Sequence, residues 1–194
     1  MSTQKTNLVL FGPPGAGKGT QANFIKESFG LVHISTGDVF RFNIKNATDL
    51  GKLAQTYMDA GNLVPDQVTI DMLSAEVEKN RAAKGFIFDG FPRTEAQAKA
   101  LDILLNGYQT EITAMVALEV PDALLVQRLL ERGKTSDRPD DANVEIIQNR
   151  INAYYSQTAI LKSYYDAQGK YYGVDGVGTI EIITKRLKEL INSF

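Results

Sequence analysis

Apolar positions along the chain fall into two alternating rhythms. Short apolar runs of strand length occur at 7–11, 31–34, 86–88, 112–120 and 170–174. Between them the apolar residues are spaced for helices. Ala22, Ile25 and Phe29 share one face of a helix over 18–29, and Val68, Met72, Leu73 and Val77 share a face of one opened by Pro65-Asp66. A stretch dotted with Asn, Thr and Gly51 predicts helix over much of 36–59, and further helices are predicted over 95–105, 121–131, 144–166 and 180–191. Pro121 suits the first helical position, where its missing N–H costs nothing. The segment 133–143 is polar and rich in helix breakers.

Strands that alternate with helices predict an α/β fold: a five-stranded, mostly parallel sheet covered by helices on both faces. In such sheets ligands bind at the carboxyl ends of the strands. The polar and glycine-rich segments 12–20, 35–38 and 89–93 each follow a predicted strand. There is no repeat, and no linker is long enough to separate independent domains.

Composition then narrows the chemistry. Across 194 residues the formal net charge is −2, which disfavours attachment to nucleic acid or an anionic membrane by bulk charge. No apolar run approaches the roughly 18–20 residues of a membrane span. Residues 1–7 are polar and lack a signal-peptide core, which predicts a cytoplasmic protein. Cysteine is absent and His33 is the one histidine, so disulfides, thiolate zinc sites and histidine clusters are excluded. Carboxylates, Lys, Arg, hydroxyls and backbone amides are what remain.

Gly12-Pro13-Pro14-Gly15-Ala16-Gly17-Lys18 fits the G-x-x-x-x-G-K phosphate loop. Glycines let successive amides turn inward around an anion, a helix N-terminus stands behind them, and the lysine reaches the outer phosphates. The preceding strand and following helix supply the context that the motif needs. Gly19 stands where the general motif has a Mg²⁺-binding Ser or Thr, and Thr20 follows it. No Asn-Lys-x-Asp base-reading motif is present, which argues against a GTPase switch.

A second signature is Phe86-Ile87-Phe88-Asp89-Gly90-Phe91-Pro92-Arg93, followed by Gln97. A strand delivers the Asp89 carboxylate level with the phosphate loop. Gly90 allows close approach to a ligand, Pro92 fixes the turn, and Arg93 offers a planar fork for phosphate.

With both signatures the chain resembles the adenylate kinases from end to end. Gly12-x-Pro14-Gly15-x-Gly17-Lys18-Gly19-Thr20-Gln21 is similar to that family's phosphate loop, including the glycine after the lysine. Ser35-Thr36-Gly37-Asp38 with Arg41, Asp89-Gly90-Phe91-Pro92-Arg93-x-x-x-Gln97, Arg128-x-x-x-Arg132, Arg138-x-Asp140-Asp141 and Arg150 match its remaining motifs in order. The resemblance implies a phosphate-loop core from 1–34, 65–131 and 143–194, a monophosphate-binding excursion at 35–64 and a short lid at 132–142 without structural zinc. It also implies transfer of a phosphoryl group from Mg·ATP to AMP, giving two ADP. Closure of such covers over both nucleotides is a known property of the family.

The roles implied for single residues follow the same motifs. Gly15, Ala16, Gly17, Lys18, Gly19 and Thr20 would hold the ATP phosphates, with Arg128, Arg132 and Gly178 completing the ATP site. Thr36, Arg41, Asn62, Leu63, Val64, Gly90, Phe91, Pro92, Arg93 and Gln97 would hold AMP. Arg138 and Arg150 would bridge the two. Asp89 would hold Mg²⁺ through water. The catalytic set is Lys18, Arg41, Arg93, Arg132, Arg138 and Arg150.

Physical chemistry supports that choice of side chain. Six of the eight arginines fall in these motifs, whereas lysine, the commoner cation, contributes Lys18 alone. Phosphoryl transfer needs positioning and charge stabilisation, which guanidinium forks supply without ever deprotonating. A phosphate acceptor is already ionised at neutral pH, so no general base is required. Two alternatives remain open on sequence: a UMP/CMP kinase of the same fold, and a nucleotide-binding regulatory module without catalysis. Gln97 favours adenine, since an amide pairs with that base's edge, and Thr36 favours it too. A monomer is expected, with no nucleic-acid or membrane partner. His33, the C-terminal tyrosines, Met58 and Met72 are read as structural.

Overall fold

In the computed structural model, which describes residues 5–136, 138–141 and 143–194, the five apolar runs become β1 (Thr6–Phe11), β2 (Val32–Ser35), β3 (Gly85–Asp89), β4 (Ala114–Glu119) and β5 (Tyr171–Asp175). Residues 1–4 of the polar N-terminal stretch, and 137 and 142 of the expected lid, lie outside the described residues. All strands are parallel, in the order β2-β3-β1-β4-β5. The helices are α1 (Lys18–Phe29), α2 (Thr36–Lys45), α3 (Asp49–Met58), α4 (Asp66–Lys79), α5 (Glu95–Gly107), α6 (Asp122–Thr135), α7 (Val144–Ala153), α8 (Leu161–Asp166) and α9 (Ile180–Ile191). No helix among the described residues is long and apolar enough to cross a membrane.

Alternation along the strands divides the core between two faces. Leu8 and Leu10 of β1, with Val116 and Leu118 of β4, pack under α1, α6, α7 and α9. Val9 and Phe11, with Phe86, Phe88 and Met115, pack under α4, α5 and α8. Both faces are covered, so β1, β3 and β4 are buried over nearly their whole length, as a parallel sheet requires. A third, small cluster of Phe40, Ala54, Val64 and Met72 gives the 35–64 excursion its own core against α4.

Chain direction turns about β1, which lies between β3 and β4, and this is where a crevice opens at the carboxyl ends. Register sets the level of the loops. Asp89 pairs with Leu10 on one side and with Ser35 on the other. The phosphate loop, the 35–38 turn and the 89–93 turn therefore leave the sheet side by side.

Two local features differ from the sequence reading. Helix α6 begins at Asp122, one residue after Pro121, and runs on to Thr135, past the expected stop at 131. Arg132 is thus held by helix. The predicted helix over 144–166 is divided: a π-helical turn at Tyr154–Thr158 separates α7 from α8. The extra residue per turn redirects the chain, and the Tyr154 ring comes to 5.6 Å from that of Phe11 at the end of β1. The 36–59 stretch forms two helices, α2 and α3, packed closely at Gly51.

Candidate active site

The phosphate loop begins from what its glycines permit. Gly12, Gly15 and Gly17 have φ of 133°, 87° and 94°, conformations that L side chains rarely adopt. A Cβ on Gly12 would meet Leu118 O at 2.7 Å, and one on Gly15 would meet Leu125 O at 2.9 Å. Gly17 caps α1 with no side chain, and the first turn of α1 carries no acidic residue, so its amides stay available to an anion. The Lys18 ammonium donates to Gly12 O at 2.8 Å and Pro13 O at 3.0 Å, curling back over the loop. Burial lowers its pKa to about 8, opposed by Asp89 and reinforced by Arg93, Arg150 and Arg132.

Asp89 ends β3 beside this loop and is 9% exposed. Its Oδ2 lies 3.4 Å from His33 Nε2. Burial works against the charge, but His33, Lys18 and Arg93 outweigh it and hold the carboxyl below the usual carboxylate range. Among the described residues no cluster of three His, Cys, Asp or Glu is positioned to hold a metal.

Across the crevice the 89–97 segment forms a second anion-facing surface. Gly90, with φ 77°, accepts from Thr36 Oγ1 at 3.0 Å and from Arg93 Nε at 2.9 Å. A Cβ there would meet Thr36 Oγ1 at 2.8 Å, so the residue has to be glycine. Burial, with Arg150 nearby, pushes the Arg93 guanidinium down to about 10. The Arg93 amide donates to Gln97 Oε1 at 2.8 Å, and Gln97 Nε2 donates to Asp66 Oδ1 at 2.8 Å.

The remaining guanidiniums are aimed by carboxylates. Arg132, on the last turn of α6, binds Asp141 through two hydrogen bonds of 2.6 and 3.0 Å. Arg150 of α7 donates to the same Asp141 carboxylate at 2.6 Å and pairs with Asp140 at 2.9 Å. Arg41 and Arg138 both donate to Asp38 Oδ1, at 2.6 and 3.1 Å. Burial together with Arg41 and Arg132 holds Arg138 below its ordinary value.

These groups line one cleft of about 540 Å³. Of the residues expected from sequence, Gly15, Gly17, Lys18, Gly19, Thr20, Thr36, Arg41, Asn62, Leu63, Val64, Asp89, Gly90, Pro92, Arg93, Gln97, Arg132, Arg138 and Arg150 border it. Four do not. Ala16 and Phe91 are buried in the core, 1% exposed each. Arg128 donates instead to Gly176 O at 3.3 Å, and Gly178, at φ 134°, lies near Arg186 and Ile182 of α9.

Sequence reasoning passed over the carboxylates that aim the arginines. Asp38, Asp140 and Asp141 stood inside the recognised motifs, and their charge beside arginine was the available signal. Asp66 had none: it lies thirty-one positions from the glutamine it binds. His33 and Tyr154, both read as structural, border the cleft as well.

Chemically, the arrangement is two cationic surfaces facing a shared space, ringed by guanidiniums, with Lys18 and Lys26 also at its border. Such a space stabilises negative charge that spreads between two phosphates. In keeping with this, residues 10–170 match the family model for adenylate kinase. Proteins named adenylate kinase from Flavobacterium psychrophilum, Flavobacterium johnsoniae and Parabacteroides distasonis are 63%, 56% and 50% identical to this chain. Each alignment spans 187 residues, 96% of this chain and 98% of the relative. These names give no support to a pyrimidine kinase or a non-catalytic module.

Proposed function

The chain belongs to the adenylate kinase family and moves a phosphoryl group between ATP and AMP, and from that premise we propose how its own residues divide the work. The phosphate-loop amides from Gly15 to Thr20 and the Lys18 ammonium hold the ATP phosphates, with Arg132 against the outer ones. Arg128, over the adenine or the phosphates, and Gly178, against the adenine from its loop, complete that site. Thr36, Arg41, the 62–64 backbone, the 90–93 turn and Gln97 hold AMP.

An oxygen of the AMP phosphate forms a bond to the γ-phosphorus of ATP as the bond from that phosphorus to the bridging β–γ oxygen breaks, leaving two ADP. The attacking oxygen is ionised above its second pKa of about 6, so no side chain needs to take a proton. Arg93, Arg138, Arg150, Arg41 and Arg132 balance the charge on the moving group. A guanidinium of this kind is worth ~10³–10⁵ in rate. Water is the competing acceptor, and the 35–64 excursion and the 132–142 segment act as covers that exclude it over the 1–34, 65–131 and 143–194 core.

Mg²⁺ arrives with ATP. A lone, largely buried carboxylate at the edge of the phosphate loop suits an ion that keeps most of its water and takes other ligands from phosphate. Asp89 would hold it through water, with Thr20 at the border. When bound, the ion neutralises charge on the β- and γ-phosphates. A cytoplasmic monomer is the form proposed, and the site itself needs no second subunit, since one chain lines the whole cleft.

The observation that carries this reading is the convergence of Arg41, Arg93, Arg132, Arg138, Arg150 and Lys18 on one cleft. Coupled detection of ADP tests it: ATP plus AMP gives rapid ADP, while either nucleotide alone does not. Faster turnover with CMP or UMP than with AMP would overturn the adenine assignment.

A further inference from the structure

Gln97 is 2% exposed, yet it borders the cleft, and both ends of its amide are already engaged. The Arg93 backbone N–H lies 2.8 Å from one end and the Asp66 carboxylate 2.8 Å from the other. A backbone N–H can only donate and an ionised carboxylate can only accept. These two partners therefore decide which end is oxygen and which is nitrogen. Asp66 is itself anchored, because Thr94 Oγ1 donates to its second oxygen at 2.9 Å while the same hydroxyl accepts from Gln97 N at 3.2 Å. Thr94, Asp66 and Gln97 close a ring of hydrogen bonds between the N-termini of α4 and α5.

We infer that Asp66 is a positioning residue that sets the specificity of the AMP base site by fixing the orientation of the Gln97 amide. The inference rests on the reading that Gln97 faces that base. One lone pair on Oε1 and one hydrogen on Nε2 remain for a ligand. They complement a base edge that places an exocyclic amine beside a ring acceptor, as adenine does. A 6-oxopurine presents the reverse order, oxygen beside ring N–H, and would require the amide turned over. Turning it would set nitrogen against the Arg93 N–H and oxygen against the Asp66 carboxylate, two repulsive contacts in a buried place. Sites built on such pairing discriminate strongly, because the wrong partner leaves buried groups unmatched.

The test compares AMP with IMP as acceptors for Asp66→Ala, which removes the acceptor from Gln97 Nε2, with Mg·ATP as donor. The AMP-to-IMP ratio of kcat/KM should fall about tenfold, the worth of one hydrogen bond to a charged acceptor. The change should appear mainly as a higher KM for AMP, with KM for ATP unchanged. On a Gln97→Ala background the same substitution should leave the ratio where Gln97→Ala alone puts it, because Asp66 acts through the amide. Asp66→Leu, close in shape and without an acceptor, serves in the same way if the Ala variant does not fold. An unchanged ratio in the single variant overturns the inference, as does an equal fall on the Gln97→Ala background. Absence of transfer from ATP to AMP in the unsubstituted protein would instead refute the proposed function itself.

Discussion

Burial strips water from the Lys18 ammonium, and three nearby guanidiniums add like charge, so its pKa falls to about 8 despite Asp89. Below that pH the free protein carries the charge that ATP needs, and above it the charge is lost. The value of kcat/KM for ATP should therefore decline above pH 8, approaching a tenfold loss per unit, while kcat at saturating ATP stays level because bound phosphates keep the proton on. A kcat/KM profile that is flat to about pH 9.5 would contradict this. The arginines give a pH-independent counterpart. Replacing Arg93 or Arg138 with alanine should lower kcat by ~10²-fold or more, each removing charge stabilisation from the transferred group. An unchanged far-UV circular dichroism spectrum would show that the loss is chemical.

At the scale of elements, Asp141 joins the end of α6 to α7. Its side chain is fully buried and binds Arg132 and Arg150 together. Burial works to raise its pKa, but the two guanidiniums prevail and hold it below the usual carboxylate range. A carboxyl shifted downward stabilises the fold above its unfolded pKa, and that contribution disappears as pH falls through the folded value. Asp141→Asn should thus cost roughly 1–3 kcal/mol near neutral pH and much less in acid, measured by urea unfolding at both pH values. It should also lower kcat by releasing Arg132 and Arg150. The excursion offers a separate test at Gly51, where a Cβ would lie 2.2 Å from Asn43 O on the neighbouring helix. Gly51→Ala must force α2 and α3 apart, at about 1–3 kcal/mol. Because that helix pair carries its own small core, KM for AMP should rise more than KM for ATP.

Across the whole molecule, Arg138 donates to Asp38 at the border of the cleft, so the two segments proposed as covers meet through one carboxylate. A ligand that spans both nucleotide surfaces should stabilise core and covers together. Two adenosines joined by a polyphosphate, at 100 times the Kd, should add ~2.7 kcal/mol. In a chain of this size that raises Tm by roughly 5–11 °C. Amide hydrogen exchange should slow together in α2, α3 and the end of α6. Protection confined to the phosphate-loop side would show that the second nucleotide binds elsewhere.

Local chemistry made much of this protein readable in one dimension. Five apolar runs alternating with helical periodicity determine a parallel sheet, because both of its faces must be covered. The glycines of 12–17 and Gly90 mark where the backbone must take conformations closed to other residues. Arginine where lysine is commoner marks phosphate. Three-dimensional packing decided the rest. No proline or glycine announces the π-helical turn at Tyr154–Thr158, since its position depends on how Tyr154 meets Phe11. The helix over 122–135 outlasts its sequence pattern, and its last turn carries Arg132 to Asp141, nine residues further on. Above all, distance decides which fork or amide each carboxylate aims: Asp38 and Asp141 stand in the motifs without their partners marked, and Asp66 stands in none. A hydrogen bond is fixed by positions in space, and only the folded chain brings together groups as far apart as Asp38 and Arg138.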